Sequence, residues 1–469
     1  VGSEMCIRDR AKYAQVSLQY RAAYDHQERD KRSYETGSDF SIAGLLPDPT
    51  LSNAYESNYT TQRVGPGFRY SKDRNTFVAN VYYQHSVLDG QVTQGESEEI
   101  RHSYDDFTYF MMGQLMINRE NSLRLFINSS TSNPDVTSLQ GVYDLSDAQN
   151  ISHGNPTLNP SYSHRINFHY INSNVEKGRT FMWMFSLQST SDYIGTHTVQ
   201  NPSFTVDGET YTPNFYSTPV NLDGYLSLRT HLSYGFPIGF LRSNFNVMAG
   251  VSYTNTPSMY GMDDGGIDPE TGAISGGERN DTENMGYDFR AVLGSNISEN
   301  VDFTLSWNGT YNEATNSLST TNSKNRYFNH TASGDLKIVF PLGFTLTASA
   351  AYTQYLGFTN DYNDDYLLCN AYIGKKLFKN QRGEIMFGVN DIFNQNKSFV
   401  RTTGSGWTQN ATNSVIGRYF MVQFSFNLRR FGKKGSTNIK DYDGVEPAPR
   451  RRGMMGPGPG GPPPGFGPR

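Results

Sequence analysis

No run in the 469 residues approaches the ~20 consecutive apolar residues that a membrane-spanning helix requires, so a helical membrane protein is excluded. Hydrophobic residues amount to 36% and the mean hydropathy is -0.60. Cysteine is almost missing. Cys6 and Cys369 are the whole complement, too few for a disulfide framework or a thiolate metal site. Charged residues are thin at 18%, and the net charge of -5 offers no basic face, which sets nucleic acid aside as a partner. Lys, Glu and Ala, the residues that build helices, are sparse. The opening VGSEMCIRDR has neither the apolar core of a secretory leader nor strand alternation. Residues 1–10 are therefore read as a non-native leader or linker scar, outside the fold. Two all-β architectures survive these absences, a soluble β-rich domain such as an adhesin or solenoid and a membrane β-barrel. The strand length and loop asymmetry described below favour the barrel. A membrane β-barrel alternates lipid-facing apolar with lumen-facing polar residues, so its average is hydrophilic.

What the chain does have supports that architecture. Tyr (31) and Phe (29) lift the aromatic share to 13%, and aromatic residues favour strands. The last strand-like run shows the pattern most clearly. Phe420, Val422, Phe424, Phe426 and Leu428 occupy one parity, and Met421, Gln423, Ser425, Asn427 and Arg429 the other. Period two places these sets on opposite faces of a sheet. The same split recurs at Phe181, Trp183, Phe185 and Leu187, and again at Val301, Phe303, Leu305 and Trp307.

Such runs predict about sixteen strands. They fall at 11–24, 59–72, 76–89, 103–119, 122–132, 161–174, 179–194, 222–238, 243–258, 280–298, 302–317, 327–342, 344–360, 365–380, 384–398 and 414–431. Tight turns at 72–75, 119–121, 175–178, 239–242, 298–300, 341–343 and 380–383 alternate with long polar loops at 25–58, 133–160, 195–221, 259–279 and 399–413. Bacterial barrels are built this way, with tight turns on the periplasmic side and long loops outside. Tyr104, Tyr170, Tyr193, Tyr225, Tyr352 and Tyr372 are expected in interface girdles. After residue 432 the composition turns to Pro and Gly, so 433–469 is expected to be a disordered periplasmic tail.

Chemistry is not written into this pattern. No nucleophile elbow, zinc-protease helix, phosphate loop or dinucleotide fingerprint occurs, and the chain is read as non-enzymatic, with no catalytic, cofactor or metal residues assigned. His102, His153, His164, His169, His197, His231 and His330 belong to separate segments and read as solvated polar residues. Asp263, Asp264, Asp268 and Glu270, like Asp361, Asp364 and Asp365, group carboxylates without the spacing of a calcium loop. Solvation of loop tips is the favoured reading.

Two segments go beyond the general pattern. GNPTLNPSYSHRINFHY (154–170) resembles the segment that enters a strand from an outside loop in TonB-dependent receptors. GVNDIFNQNKSF (388–399) followed by GRYFMVQFSFNLRRFG (417–432) looks like the closing hairpin of the same receptors. The Pro/Gly-rich tail with Met and Phe resembles Bacteroidetes-type members of the outer-membrane β-barrel family. The resemblance implies an all-β transmembrane antiparallel barrel over 11–432. It would hold about 16 of a probable ~22 strands, as the C-terminal barrel portion of a receptor whose plug nothing here matches. It implies partners in outer-membrane lipid, in an unknown ligand at the extracellular loops, and in the TonB system acting through that plug. A passive porin-like channel is the alternative. Residue by residue, Asn155-Pro156 and Asn159-Pro160 read as setting strand entry, and Asn390-Asp391 as a turn that ends a strand. If part of the wall is missing, the run 11–24 will make no full ladder with 414–431. The loop asymmetry also fixes the orientation. Cysteine probes on intact cells are expected to label position 265 and not position 383, and the reverse pattern would overturn the topology.

Overall fold

A strand sends half of its backbone donors and acceptors toward each edge, so every strand in lipid needs two neighbours. The computed structural model meets that need for every wall strand but the first and the last, with one sheet of 21 strands. It describes residues 2–10, 12–32, 34, 46, 53–92, 99–141, 143–145, 147–206, 208–262, 266–269, 271–295, 300–318, 325–357, 364–378, 381–404, 407–413 and 415–426.

The wall begins with β1 (Gly2–Arg10), β2 (Ala14–Lys31), β3 (Asn53–Lys72), β4 (Asn75–Val92), β5 (Glu99–Met116) and β6 (Asn121–Ser132). One helical turn, α1 (Val136–Leu139), and two short strands, β7 (Tyr143–Asp144) and β8 (Asn150–His153), follow. The wall resumes with β9 (Ser161–Asn174) and β10 (Arg179–Ser191). An outer loop then holds β11 (Tyr193–Gln200), β12 (Phe204–Val206), β13 (Glu209–Tyr211) and β14 (Phe215–Leu222). Next come β15 (Tyr225–Ile238), β16 (Ser243–Met262), β17 (Glu278–Ser295), β18 (Val301–Asn316) and β19 (Asn325–Val339). β20 (Phe344–Leu356), β21 (Asp364–Leu377) and β22 (Gly383–Asn390) continue the wall. A separate hairpin of β23 (Ser398–Gly404) and β24 (Trp407–Asn413) precedes the last strand, β25 (Tyr419–Phe426).

Four of the 21 strands (β7, β8, β11 and β14) lie in outer loops, and the other seventeen make the wall. Each wall pairing is antiparallel and joins chain neighbours, skipping only loop strands, as from β6 to β9, β10 to β15 and β22 to β25. All sixteen expected strands are present, and β9 coincides with its expected bounds. Short connections gather at one end. Between β3 and β4 only Asp73 and Arg74 intervene, with Asp73 in the left-handed region at φ 54, as a two-residue hairpin demands. Among the described residues no ladder joins β25 to β1 or β2, so the sheet is open, as the sequence led one to expect.

Register turns the alternation of single strands into continuous rows. Val301, Ile338, Leu346, Ile373, Phe387 and Val422 pair in succession across six strands. The adjacent row reads Asp302, Lys337, Thr347, Tyr372, Gly388 and Met421. In the other half of the sheet Val16, Phe68, Ala79, Met111, Ile127, Ile166, Leu187 and Leu228 form one row. The apolar rows point outward. Ile373 and Val422 are each 67% exposed, whereas the polar Ser86 and Gln84 of the inner face are 0% and 8% exposed. That inversion of the usual burial rule is the signature of a surface solvated by lipid. Phe420 and Phe424 share the outward face with Val422, and Gln423 pairs with Met386 on the other. Leu428 and Asn427 lie outside the described residues, as does the tail 433–469.

Several expectations need correction. Residues 2–10, left out of the fold, pair with β2 from Gly2↔Ala23 to Arg10↔Gln15, because the free edge of β2 accepts any extended backbone. Tyr104 and Tyr372 belong to no outward girdle. Tyr104 pairs with the fully buried Ser86, and Tyr372 shares the row of Lys337 and Thr347, so both face inward. The run 179–194 breaks at Asp192, whose φ is 50. The regions 133–160, 195–221 and 399–413 contain strands of their own. Replacing Phe424 with Arg is expected to lower folding stability in lipid vesicles by ~2–4 kcal/mol, with Gln423→Arg near neutral. Equal losses in a denaturant titration would refute the assigned faces.

Candidate functional site

The outer ends of β4, β9, β10, β15 and β16 carry a cap built from the described residues of the loops 133–160, 192–224 and 266–277. Its scaffold is a crossing. β10 pairs with β15 from Thr180↔Gly235 to Thr190↔Tyr225, and β11 pairs with β14 from Tyr193↔Leu222 onward in unchanged register. The two pairs are one long hairpin. Its neighbours change at the break. Below it, β10 borders β9 and β15 borders β16. Above it, β11 borders β16 and β14 borders β8, both in parallel. The arms have exchanged sides by a half twist, which a two-stranded ribbon accommodates more readily than a wide sheet.

A crossing interrupts ladders, and side chains take over the freed backbone groups. Asn221 Nδ2 donates to the carbonyls of Asn159 (3.0 Å) and Asp192 (2.9 Å), and its Oδ1 accepts from Asn159 N at 2.8 Å. Asp192 N donates to Asp223 Oδ1, and Asn155 Nδ2 to Pro219 O. Asn255 Nδ2 and Arg279 Nη2 donate to the carbonyls of Gly224 and Asp223. The segment GNPTLNP thus acts as a pin through the crossing. Gly154 is required there, since a Cβ would sit 2.0 Å from the Gln140 carbonyl. The strand-entry reading of its Asn-Pro pairs describes the same fact from the sequence side.

Two small apolar cores hold the cap down. Val136 and Leu139 of α1 pack with Leu158 on Leu88 and Ile100. Asp135 caps α1 by accepting from Ser138 N at 2.7 Å, the usual role of an acid at that position. Farther out, Ile151, Phe204 and Tyr216 are buried among Tyr143, Tyr211 and Ile267. Burial raises the pKa of both the Tyr216 and Tyr143 phenols, and Tyr216 donates to Gly272 O at 2.6 Å. On the rim, hydrogen bonds from the Asn150 amide and the Gln149 backbone lower the pKa of Asp147.

Beneath α1, against the inner faces of β2 and β3, lies a pocket of about 310 Å³. Asp25, Tyr59, Thr61, Asn133 and Asp135 are among its lining residues, and none of the lining residues is basic. The wall is split beside it. The β5–β6 ladder stops at Phe110↔Asn128 while β6 continues along β9 to Ser132↔Ser161. Ser129 Oγ accepts from Tyr109 N (2.9 Å), and Tyr162 Oη donates to Phe107 O (2.5 Å), replacing the lost ladder.

The second family-like segment is a self-capped turn. Asp391, 2% exposed, accepts from Gln395 N and Asn396 N through its two carboxylate oxygens. Asn394 Oδ1 accepts from Arg418 N, and the strand ends where the Asx pair was expected to end it. The histidines remain dispersed. His102 stacks on Tyr104, His164 packs on Tyr162, His169 on Phe126, and His330 on Phe328. His153 meets Tyr143 edge-on at 4.6 Å. His231 stands 3.5 Å from Asp288. Among the described residues no three His, Cys, Asp or Glu side chains gather as metal ligands. Asp263, Asp264, Glu270 and Asp361 lie outside those residues, as does the side chain of Asp364. The Asp268 carboxylate accepts from Thr271 Oγ1. Sequence reasoning missed Asn221, Tyr59 and Asn133, whose importance comes from partners far along the chain.

A family model for the outer membrane protein beta-barrel family matches residues 85–265 and 263–427. Among solved structures, the ferric yersiniabactin uptake receptor FyuA from Yersinia pestis is similar over 91% of this chain and 61% of its own, at 10% identity and a TM-score of 0.40. The outer membrane transporter YddB from Escherichia coli is similar over 91% of this chain and 75% of its own, at 12% identity and a TM-score of 0.23. The chain thus spans less than two thirds of the FyuA chain. No curated protein matches the sequence.

Two outcomes follow from the cap. Asn221→Ala removes the donor and acceptor for three backbone groups at the crossing, and is expected to cost the cap roughly 0.5–1.5 kcal/mol. Limited proteolysis within 201–214 should speed up while the wall keeps its resistance to detergent. His197 is 6% exposed with Nε2 unpartnered, and burial lowers its pKa, opposed by the Gly276 backbone. The opened cap therefore takes up the proton first. Cap stability should fall as pH drops through the ordinary histidine range near ~6.5, read as faster hydrogen exchange in 193–200. His197→Gln should flatten that dependence.

Proposed function

Because the chain belongs to the outer membrane protein beta-barrel family and resides in the outer membrane, we propose that it is the barrel of a TonB-dependent receptor. In this reading it binds a ligand at its extracellular loops and imports it. One observation carries the reading: the outer loops fold into a cap with its own apolar cores and a pocket beneath it lined by polar and apolar side chains. Ordering loops costs conformational entropy, and a channel that only sieves by size gains nothing from it. A receptor does, since a preformed surface binds without ordering at the moment of contact. The segments at 154–170 and 388–432 fit the same reading.

The chain's contributions would be to bind and to enclose. The apolar outer rows hold the wall in lipid, and the polar inner rows offer a passage that needs no dehydration by hydrocarbon. Release inward would draw on the TonB system through a plug, and the chain carries no catalytic step. Residues 433–469 would hang into the periplasm as a solvated tail. Solute depletion from growth medium tests the proposal, comparing wild type, a deletion of this gene, and loss of TonB. The two losses are expected to leave the same solutes unconsumed. Uptake that needs this gene and persists without TonB would point to passive flow and overturn it.

A further inference from the structure

At the end of the wall where the short connections gather, the turns carry bare apolar side chains. Phe240, Val175 and Leu342 are 89%, 87% and 85% exposed, more than the outward Ile373 and Val422 of the strands. Ile117 and Phe378 are exposed as well. Together these residues mark five turns, β5–β6, β9–β10, β15–β16, β19–β20 and β21–β22. They lie beyond the strand ends, outside the apolar rows. Two of them also hold a backbone conformation that turning alone would assign to glycine or asparagine. Leu342 has φ 66 and Phe378 φ 69, in the left-handed region where bulky side chains are rare. The β3–β4 turn shows the ordinary solution, with Asp73 in that region and Arg74 beside it. Strain kept at a bulky residue points to a use for its side chain. Cations stand beside the tips. Lys375 Nζ donates to Leu342 O at 2.5 Å and lies 3.9 Å from the centre of the Phe344 ring. Arg242 follows Phe240 and Leu241 directly and closes their turn.

We propose that these turns enter the phospholipid leaflet on their side of the membrane. The apolar tips reach the boundary of acyl chains and headgroups, and Lys375 and Arg242 hold lipid phosphates. Residence in the outer membrane is the only premise, and the receptor reading is not needed. An apolar side chain paired with a cation is the composition of an interfacial anchor. Extent separates lipid from a protein partner. The five turns run along β5, β6, β9, β10 and β15 to β22, which are neighbours in the wall. At ~4.8 Å per strand that arc is roughly 50 Å long. A protein interface of standard size covers ~800 Å² on each side, a patch about 30 Å across, and cannot reach every tip. A leaflet surrounds the wall and reaches them all. The turns also continue the lipid-facing surface without a gap. Phe378 meets the outward Phe426 edge-on at 5.7 Å, and Phe340 and Phe344 are exposed on either side of the Leu342 turn. Charge narrows the phosphate sites. Glu120 and Glu176 stand beside Arg119 and Lys177 in the first two turns, whereas Gly239–Leu241 and Pro341–Gly343 contain no acid.

The test uses the full-length protein, purified from outer membranes and placed in phospholipid nanodiscs. Phe240→Cys, Leu342→Cys and Arg74→Cys are made singly in a Cys6→Ala, Cys369→Ala background and labelled with an environment-sensitive fluorophore. Positions 240 and 342 are expected to be quenched by a lipid spin-labelled high on its acyl chain and to be shielded from iodide. Position 74 is expected to show the reverse. Quenching of 240 and 342 by iodide alone overturns the proposal. Shielding that appears only after periplasmic extract is added overturns it too, since the rim is then a protein contact. Phosphate recognition is read with the label at 342. Quenching by spin-labelled phosphatidylglycerol is compared with quenching by the matching diacylglycerol, which has no phosphate. The phosphate-bearing lipid is expected to be enriched about fivefold, the effect of one cation at an anionic surface. Lys375→Gln should abolish the enrichment and Lys375→Arg should keep it. No enrichment, or enrichment that Lys375→Gln spares, overturns the assignment of phosphate to Lys375.

Discussion

Every backbone donor and acceptor in a bilayer must find a partner within the protein, because hydrocarbon supplies none. The wall depends on that constraint more than on any side-chain contact. It explains why chain neighbours pair in antiparallel order, and why even Gly2–Arg10 is drawn onto the edge of Ala14–Lys31. Where ladders end, the constraint reappears as side-chain chemistry. Ser129 and Tyr162 replace ladder bonds beside the β5–β6 split, and Asn221 replaces them at the crossing. Polar residues at these points are substitutes for a missing strand.

The wall was legible in the sequence because its rule is local. Period two is visible within a single run such as Phe420 to Phe426, and register then aligns Val422 with Phe387 and Ile373 without new information. The closing turn was legible for the same reason, since Asp391 caps amides only four and five residues away. The cap was not. Asn221 acts on Asn159, 62 residues earlier, and Tyr59 faces Asn133 across the lumen side of the sheet. Nothing in the run around Asn221 marks it as different from other loop asparagines. The inward Tyr104 shows a related limit: composition placed tyrosines at strand ends, and only pairing with Ser86 decided their face.

Cap and wall obey opposite solvent rules within one sheet. The wall turns its apolar rows outward, and the cap gathers Ile151, Phe204 and Tyr216 inward as a soluble domain would. β16 carries both regimes along one strand, pairing with β15 below and β11 above. Leu88 does the same for β4, where an inner-face position turns apolar to receive Val136 and Leu139. These switch points mark where the chain leaves lipid. They also set the pocket at the boundary, roofed by α1 and walled by polar strands.

The crossed hairpin limits how the gene can change in length. From Thr180 to Gln200 and from Phe215 to Gly235 the two arms keep one register, and each arm is held by a second, different neighbour on either side of the break. One codon added to either arm would shift all partners beyond it and turn each side chain to the opposite face. It would also pull Asn221 out of reach of Asn159 and Asp192. The tip between residues 200 and 215 escapes this coupling, because β12 and β13 pair only with each other. Within the hairpin, changes of length are therefore confined to the turn between Val206 and Glu209, since Phe204 and Tyr211 on either side of it are fixed in the outer apolar core.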